Sequence, residues 1–454
     1  MRRFAGFRQR FGRFARHDGG NFAVVFGVAA SAVMLGVGFG VDTVQLMNAK
    51  SALREAVDAA VTSTARAITV GDITEQDAPK MVEAFLTANS NGGILAYDQV
   101  VLDRLTIDKT EKTVEAAAHV DVSLYFPLFG MPNMRRVVNT GAAVYSDKHI
   151  EVAMMLDVTG SMAGQKIIDL RTAAANAVDA FLGGQDPARP RVRIALVPYA
   201  NSVNAGALAE SSVGIGSTAA DRRQLGPNTD PTPVATRPDT CATERIGAYQ
   251  YSDAGPDVSM VNRDYLLSAF VASGYGGGTK ACPDAAVMPL SADGDALKNT
   301  IKNLNASGGT AGHIGVQWTW YMLSNKWNSV LAASQRPAAP NPGKVAKFAV
   351  LMTDGEFNLS YFDVTDVKEV YNAKGKAETR TAATTLCAAM RDQGIEVFTI
   401  GFALSEANAE STLQSCATPD TGSVKHFYQA ATGAELDAAF QSIAANIERL
   451  ALTR

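Results

Sequence analysis

The stretch Val-Ala-Met-Met-Leu-Asp-Val-Thr-Gly-Ser, residues 152–161, places an aspartate and two hydroxyl side chains directly after five apolar residues. A second apolar run, residues 348–352, is followed by Thr353-Asp354-Gly355. Short apolar runs of this kind are typical of buried strands in a parallel sheet. Parallel strands end at the same edge of a sheet, where open α/β folds bind their ligands, so we expect Asp157 and Asp354 to lie close together there.

The side chains around these two aspartates predict a divalent cation site. Two neighbouring carboxylates repel each other unless a cation neutralises them, and hard oxygen ligands suit Mg²⁺. The glycine-rich segment Gly308-Gly309-Thr310 precedes a predicted helix and should bring a further hydroxyl to the same edge. We predict that Mg²⁺, or alternatively Mn²⁺, is held by five residues: Asp157, Thr159, Ser161, Thr310 and Asp354.

This predicted ligand set indicates binding and not catalysis. It contains no evident base or nucleophile directed at a substrate, so we expect no catalytic residue and no organic cofactor. An open position on the cation would instead accept an acidic residue of a protein partner. Near the site, we expect Glu356 to be solvated, with a role in tuning the metal as the alternative. We expect His313 to be satisfied by the backbone, with a place in the site wall as the alternative.

The charge distribution argues against nucleic acid as a partner. The 454 residues include 41 Lys and Arg against 45 Asp and Glu. Six of the arginines fall within residues 1–17, which contain no acidic residue, and the rest of the chain therefore has 35 basic against 45 acidic residues. No basic face follows the short arginine-rich arm.

The segment after this arm predicts a membrane anchor. Residues 22–41 carry no charge, and 20 helical residues span about 30 Å at about 1.5 Å per residue. A cleaved signal peptide is the alternative, although its apolar core usually takes only about 7 to 15 residues. Arginines before the span and Asp42 after it place the amino terminus in the cytoplasm by the positive-inside rule.

Beyond the anchor, the pattern predicts two further regions. A helix over residues 44–68 continues out of the bilayer, and apolar residues alternate from Val114 to Leu124, with residues 101–107 as the partner strand of a hairpin. From Ile150 strands and helices alternate as in a parallel α/β sheet. Residues 200–300, rich in Gly, Pro, Ser, Asp and Asn, are expected to form an insertion.

The four cysteines fit an oxidising compartment. None has the spacing of a metal site, and the simplest of the three possible pairings is Cys241 with Cys282 and Cys387 with Cys416. A reduced and buried set of cysteines is the alternative.

The motif Asp157-x-Thr159-x-Ser161, the distant Thr310 and the later Thr353-Asp354-Gly355 resemble the metal-ion-dependent adhesion site of von Willebrand factor A domains. The resemblance covers residues of about 150 to 450, and Thr159 stands where the family usually has Ser. It implies a Rossmann-like, doubly wound, mainly parallel α/β sheet. It also implies that the first motif residues and Thr310 touch the metal directly or through water, and that the last aspartate acts through water.

The amino-terminal region resembles TadG-type proteins of the Flp (tight adherence) pilus machinery. The resemblance is carried by the arginine-rich start, by residues 20–24, by the end of the span at Val41-Asp42 and by residues 56–60. Val25 stands where a processed pilin-like leader would have Glu, so we do not expect cleavage there. The predicted organisation is a basic cytoplasmic arm (1–20), a transmembrane anchor (21–42), a TadE/TadG-like helix and strand module (43–147) and a von Willebrand A domain (148–454).

These resemblances imply a protein of the bacterial inner membrane whose bulk lies in the periplasm or outside the cell. It would bind a cation and an acidic protein partner, together with other pilus or envelope components, in pilus assembly or adhesion. The alternative is a structural envelope protein whose cation only stabilises the fold. Residues 157–161 are also similar to the phosphorylated loop of cation-pumping ATPases. That loop differs at Val158, and pumps need several spans, so we expect no enzyme.

Overall fold

The computed structural model describes residues 21–70, 72–90, 100–126, 132–146, 148–183, 185, 189–214, 240–263, 282–361, 368–422 and 424–453. The predicted basic arm, residues 1–20, lies outside the described residues. The chain forms two compact units, the first made of residues up to 68 and 73–145, and the second of residues 69–72 and 146–454.

The first unit combines one very long helix with a three-stranded sheet. Its elements are α1 (Asn21–Val70), α2 (Ala78–Ser90), β1 (Val101–Asp108), β2 (Thr113–Ser123) and β3 (Met134–Val144). The strands pair antiparallel in the order β1-β2-β3. The alternation predicted for β2 is confirmed, because Val114, Ala116 and Val120 are at most 2 % exposed and pack with Val57 and Val61 of α1. The carboxyl-terminal half of α1 therefore covers one face of the sheet.

The amino-terminal part of α1 is different. Within the described residues, Val24–Thr69 is the one helix long and apolar enough to cross a membrane, and only 6 % of its most apolar window is buried. A core helix of a soluble domain would be covered, so an anchor or a signal sequence fits this segment better.

The second unit is built on a mainly parallel sheet. Its elements are β4 (His149–Asp157), α3 (Gln165–Leu182), β5 (Val192–Tyr199), β6 (Val203–Asn204), α4 (Ala209–Ser212), β7 (Val213–Gly214), β8 (Cys241–Ala242), β9 (Val261–Asn262), β10 (Met288–Ser291), α5 (Gly294–Lys302), α6 (Gly312–Tyr321), β11 (Val345–Thr353), α7 (Ala373–Asp392), β12 (Glu396–Phe402), α8 (Ala407–Cys416), β13 (Phe427–Ala430) and α9 (Gly433–Thr453).

The main strands lie in the order β10-β5-β4-β11-β12-β13, with β10 antiparallel to β5 and the others parallel. This is the doubly wound order, which reverses direction between its first and fourth strands. Here those strands are β4 and β11, which pair from Val345 opposite His149 to Leu351 opposite Met155. Asp157 ends β4 and Asp354 follows β11, so both lie at this reversal, where folds of this class form a crevice.

Both faces of the sheet are covered by helices. Val152, Met154 and Leu156 of β4 pack into a core with α3, α5 and α9, whereas Ala153 and Met155 pack into another core with α6 and α7. A strand buried on both faces needs apolar residues at every position, which explains the uninterrupted run before Asp157. The fold class predicted from the sequence is confirmed: a doubly wound, mainly parallel α/β sheet, preceded by a long apolar helix and a small α+β unit.

The last part of residues 200–300, the stretch predicted as an insertion, is instead part of the main α/β fold. Met288–Ser291 forms the antiparallel edge strand β10, and Gly294–Lys302 forms α5, so both belong to the main sheet and its helices. The rest contains only short strands, and residues 215–239 and 264–281 lie outside the described residues. Both expected disulfides are present, Cys241 with Cys282 and Cys387 with Cys416.

Removing the second disulfide should destabilise the α/β unit measurably. The bridge joins residues 29 positions apart, and closing a loop of that length stabilises a fold by about 3 to 4 kcal/mol. We expect the Cys387→Ala/Cys416→Ala protein to lose that much unfolding free energy in urea. The three tryptophans are all buried in this unit and report its unfolding. An unchanged midpoint and slope would contradict the expectation.

Candidate metal site

Asp157 is a fully buried carboxylate. It ends β4, in the middle of the sheet, and is 0 % exposed. Its Oδ1 accepts hydrogen bonds from the Thr159 backbone N–H at 2.9 Å and from the Thr159 hydroxyl at 2.6 Å. Its Oδ2 accepts from the Tyr199 hydroxyl at 2.8 Å and from the Thr353 hydroxyl at 2.6 Å. One carboxylate thus ties together the ends of three adjacent strands.

No cationic side chain neutralises Asp157 in the described part of the chain. Glu151, on the same strand and equally buried, shows the usual arrangement: Arg193 lies 2.6 Å and Lys347 2.9 Å from its oxygens. A buried carboxylate is costly unless it is paired with a cation or coordinates a metal. The four neutral donors around Asp157 stabilise its charge without cancelling it.

A row of oxygen atoms leads from Asp157 to the second aspartate. The Thr159 hydroxyl lies 2.9 Å from the Ser161 hydroxyl, which donates at 2.6 Å to Asp354 Oδ1. When both hydroxyl protons point at the carboxylates, none remains for the contact between Thr159 and Ser161. Their lone pairs then face each other, an arrangement that a cation stabilises.

Lys166 closes the other end of this row. It lies in the first turn of α3, and its Nζ is 2.8 Å from Asp354 Oδ2. The Lys166 side chain is 33 % exposed, whereas that of Asp354 is fully buried. Asp354 therefore has a cationic partner of its own, and the uncompensated charge of the pair lies on Asp157.

Thr310 lies in the loop beside this row. The loop is held to the first one by hydrogen bonds from Gly160 N–H to the Gly308 carbonyl and from Ser307 N–H to the Val158 carbonyl, both 2.8 Å. Gly308 has φ +86°, a conformation that favours glycine. Thr310 is 4 % exposed, and its backbone exchanges two hydrogen bonds of 2.9 Å with Asn358. Among the described residues, no hydrogen bond joins the Thr310 hydroxyl to the row.

The electrostatics follow from this burial. Burial first, and the nearby Asp354 carboxylate second, raise the pKa of Asp157 to about 6, although the hydrogen bonds from Thr159 and Thr353 act in the opposite direction. Burial and the Asp157 charge raise the pKa of Tyr199 well above its usual value, so the Tyr199 hydroxyl remains a donor. A cation bound at Asp157 would stabilise the ionised carboxylate and so lower the pKa of Asp157.

Four of the five predicted residues therefore meet in one hydrogen-bonded row, with Thr310 in the next loop. Sequence reasoning missed Tyr199, Thr353 and Lys166. Thr353 was visible as the residue before Asp354, whereas Tyr199 is the last residue of β5 and belongs to no recognised motif. Lys166 carried no signal, because a lysine in the first turn of a helix is ordinarily a solvated side chain.

The expectation for the neighbouring Glu356 is wrong, and the ring of His313 contacts side chains. Glu356 is not solvated: its side chain is 13 % exposed and lies 2.5 Å from Arg380 and 3.5 Å from Lys376. It belongs to an ion cluster beside the loop. His313 has side-chain partners, since its Nδ1 lies 2.8 Å from the Thr379 hydroxyl and its Nε2 3.5 Å from Glu244.

The donors present fit a hard divalent cation. The described residues contain no group of three or more His, Cys, Asp or Glu side chains placed to hold a metal. A cation here would therefore be bound by a mixed set of carboxylate and hydroxyl oxygens and by water. Mg²⁺ usually keeps several waters and takes only one or two carboxylates, which matches this set. Soft transition-metal chemistry does not match it, because no thiolate or imidazole is part of the row.

Comparisons with known proteins give limited information. No protein-family model matches the chain, and no curated protein matches its sequence. Among solved structures, the chain is similar to the pilus adhesin SpaC from Lactobacillus rhamnosus GG, with 13 % identity over 79 % of this chain and 37 % of that chain and a TM-score of 0.37. It is also similar to the von Willebrand factor domain of the type V pili tip protein Mfa5 from Porphyromonas gingivalis, with 15 % identity over 68 % of this chain and 97 % of that chain and a TM-score of 0.36.

A third similar structure is a mutant of the PilB minor pilin from Streptococcus sanguinis, with 12 % identity over 78 % of this chain and 80 % of that chain and a TM-score of 0.36. The chain spans little more than a third of the length of SpaC. At these identities and TM-scores the similarities carry no functional argument. The strand order and the contacts of Asp157 are the observations on which a function can be based.

The raised pKa of Asp157 predicts how the metal-free protein responds to pH. A carboxyl whose folded-state pKa lies above its unfolded value destabilises the fold once it is ionised, so its unfavourable contribution grows as pH rises from about 4 to about 7. Here the pKa rises from 3.8 to about 6, which corresponds to roughly 3 kcal/mol. Asp157→Asn removes this charge, and its amide can donate to the hydroxyls of Tyr199 and Thr353.

We therefore expect metal-free Asp157→Asn to gain unfolding free energy relative to metal-free wild type as pH increases over this range. Urea unfolding of both proteins in a chelator, at several pH values, measures the difference. Two stability curves that run parallel from pH 4 to pH 7 would show that Asp157 carries no such cost.

Proposed function

We propose that the second unit is a von Willebrand A-type domain that binds a divalent cation, Mg²⁺ or Mn²⁺, and through it an acidic residue of a protein partner. The observation that carries the proposal is the buried, uncompensated carboxylate of Asp157 at the reversal of strand order. A cation bound there would neutralise Asp157, use the facing hydroxyls of Thr159 and Ser161, and retain water positions that a partner's carboxylate can replace.

The setting of this domain is part of the same proposal. We propose that α1 anchors the chain in the bacterial inner membrane, with residues 1–20 in the cytoplasm and the rest outside it. Three observations support this: the exposed apolar helix, the two disulfides and the arginine-rich start. The resemblance to TadG-type proteins supports a role in Flp (tight adherence) pilus assembly or adhesion.

A second candidate follows from one specific contact. Lys166 already neutralises Asp354, and hydrogen bonds already connect the three loops. In a structural envelope protein, a cation would only complete this connection and stabilise the fold. Asp157→Asn should reduce stability in the presence of Mg²⁺ in both candidates. Only in the first should the folded variant also lose partner binding.

Mg²⁺ titration of the chelator-treated, full-length protein tests the cation site directly. We expect calorimetry to detect one site per chain in the wild type and none in Asp157→Asn, because the substitution removes the central charge. Thr310→Val is a matched test of the fifth predicted ligand, since it replaces only a hydroxyl with a methyl group, and it should weaken binding about tenfold or more. Wild-type protein that is folded and yet shows no binding would refute the proposal.

Pilus formation and adhesion in cells of the native host test whether the domain acts through a protein partner. Asp157→Asn protein that accumulates normally in the membrane and fails to support pilus formation or adhesion would favour the first candidate. Normal function with that variant would favour the structural one.

Lys166 should compete electrostatically with the bound cation. Its ammonium group shares Asp354 with the proposed site, and removing one partly exposed positive charge near a cation is worth about 1 kcal/mol, or roughly fivefold in affinity. We expect Lys166→Gln to bind Mg²⁺ about that much more tightly, and Lys166→Arg, which keeps the charge, to bind like wild type. Equal or weaker binding by Lys166→Gln would contradict this role.

A further inference from the structure

The first unit contains an unusual contact between the long helix and the end of β2. The Asp42 carboxylate accepts hydrogen bonds from the backbone N–H groups of Tyr125 at 2.9 Å and of Phe126 at 3.1 Å. Asp42 is only 6 % exposed although it adjoins the most apolar part of α1. One buried side chain therefore fixes two successive residues beyond the end of β2 against the helix.

Phe126 reaches further along α1, toward its amino terminus. A methyl group added at Gly38 would lie 2.9 Å from Phe126 Cβ, so only glycine allows this close approach. Gly38 lies four residues before Asp42, about 6 Å along the axis of the helix. It is inside the uncharged run of residues 22–41. If that run fills the apolar core of a bilayer, Phe126 lies at a depth inside this core, on the bilayer side of the point where α1 emerges from it.

Three large aromatic or apolar side chains are exposed at this position. Tyr125 is 71 % and Phe126 54 % exposed, and Met134, where β3 begins, is 49 % exposed. The backbone bond from Leu124 N–H to the Asn133 carbonyl closes the hairpin at this end. The sequence from Leu124 to Met134 contains no charged residue, and two arginines follow it directly.

We propose that this end of the β2–β3 hairpin lies in the outer interface of the bilayer that α1 crosses, with Tyr125 and Phe126 in contact with lipid. The inference rests on the proposed membrane span. Aromatic side chains prefer the membrane interface, where the phenol hydroxyl of a tyrosine reaches water and its ring lies among the acyl chains. Arg135 and Arg136 follow at the level expected for the lipid headgroups.

The hydrogen bonds to Asp42 support the proposal that lipid surrounds this end of the hairpin. Backbone N–H groups that enter a water-poor region need an internal acceptor, because no water replaces one there. The Asp42 carboxylate supplies that acceptor for both exposed aromatic residues. A hairpin end surrounded by water would not need a buried carboxylate for this purpose. The α+β unit would thus have a second attachment to the bilayer, beside its helix.

Spin labels on the full-length protein test this placement. All four natural cysteines form disulfides, so one introduced cysteine is the only free thiol. The protein is reconstituted in vesicles of phosphatidylethanolamine and phosphatidylglycerol, and a nitroxide is attached to Tyr125→Cys. Collisions with oxygen report lipid, and collisions with a water-soluble nickel complex report water. We expect the oxygen-to-nickel ratio at Tyr125 to be severalfold higher than at a label in water.

Two control labels separate the possible failures. Thr110→Cys lies in the turn at the other end of β2, about 35 Å away for a strand of 11 residues, and should report water. Val33→Cys lies within the proposed span and should report lipid. Lipid at Val33 with water at Tyr125 would overturn the inference and leave the span intact. Water at both would overturn the span and the inference together. Low access to both reagents at Tyr125 would mean that protein covers the hairpin end, which also overturns the inference.

Discussion

Burial of the Asp157 charge is the constraint on which the α/β unit depends. The carboxylate lies at the end of the central strand, and its four hydrogen bonds come from the first loop, from β5 and from β11. Every one of these donors is neutral. The fold therefore positions the strand ends around a charge that it does not cancel, in contrast to Glu151 on the same strand. Such an arrangement is costly for stability alone and is characteristic of functional sites.

The strand order explains why the charge lies at this position. In a doubly wound sheet, helices leave neighbouring strands toward opposite faces at the reversal of order, which opens a crevice at the carboxyl ends. Here the reversal lies between β4 and β11, and the loops that follow these strands are joined by the hydrogen bond from Ser161 to Asp354. The loop with Gly308 is held to the loop after β4 by backbone hydrogen bonds. Position, burial and donor chemistry thus coincide at one edge of the sheet.

Many of the strands and helices were predictable from the sequence because their patterns lie within single segments of the chain. Uninterrupted apolar runs marked β4 and β11, period-two alternation marked β2, and the lack of charge over residues 22–41 marked the apolar part of α1. The elements that were missed have weak local signals. β10 is a four-residue edge strand containing Pro289, and β3 has two arginines at its second and third positions and includes Gly141, which packs against Val57. Lys166 and Tyr199 join the site only through long-range contacts, which no single segment of sequence shows.

The two disulfides link the chemistry of the compartment to the integrity of the fold. Cys387 lies on α7 and Cys416 ends α8, so their bridge fastens two helices of the α/β unit to each other. Thiols remain reduced in the cytosol and become oxidised outside it. If α1 spans the membrane as proposed, a chain inserted with the opposite topology would keep four free thiols and two unfastened segments. Only correctly oriented chains would then form the two disulfides. Misoriented chains would be less stable and more susceptible to proteolysis.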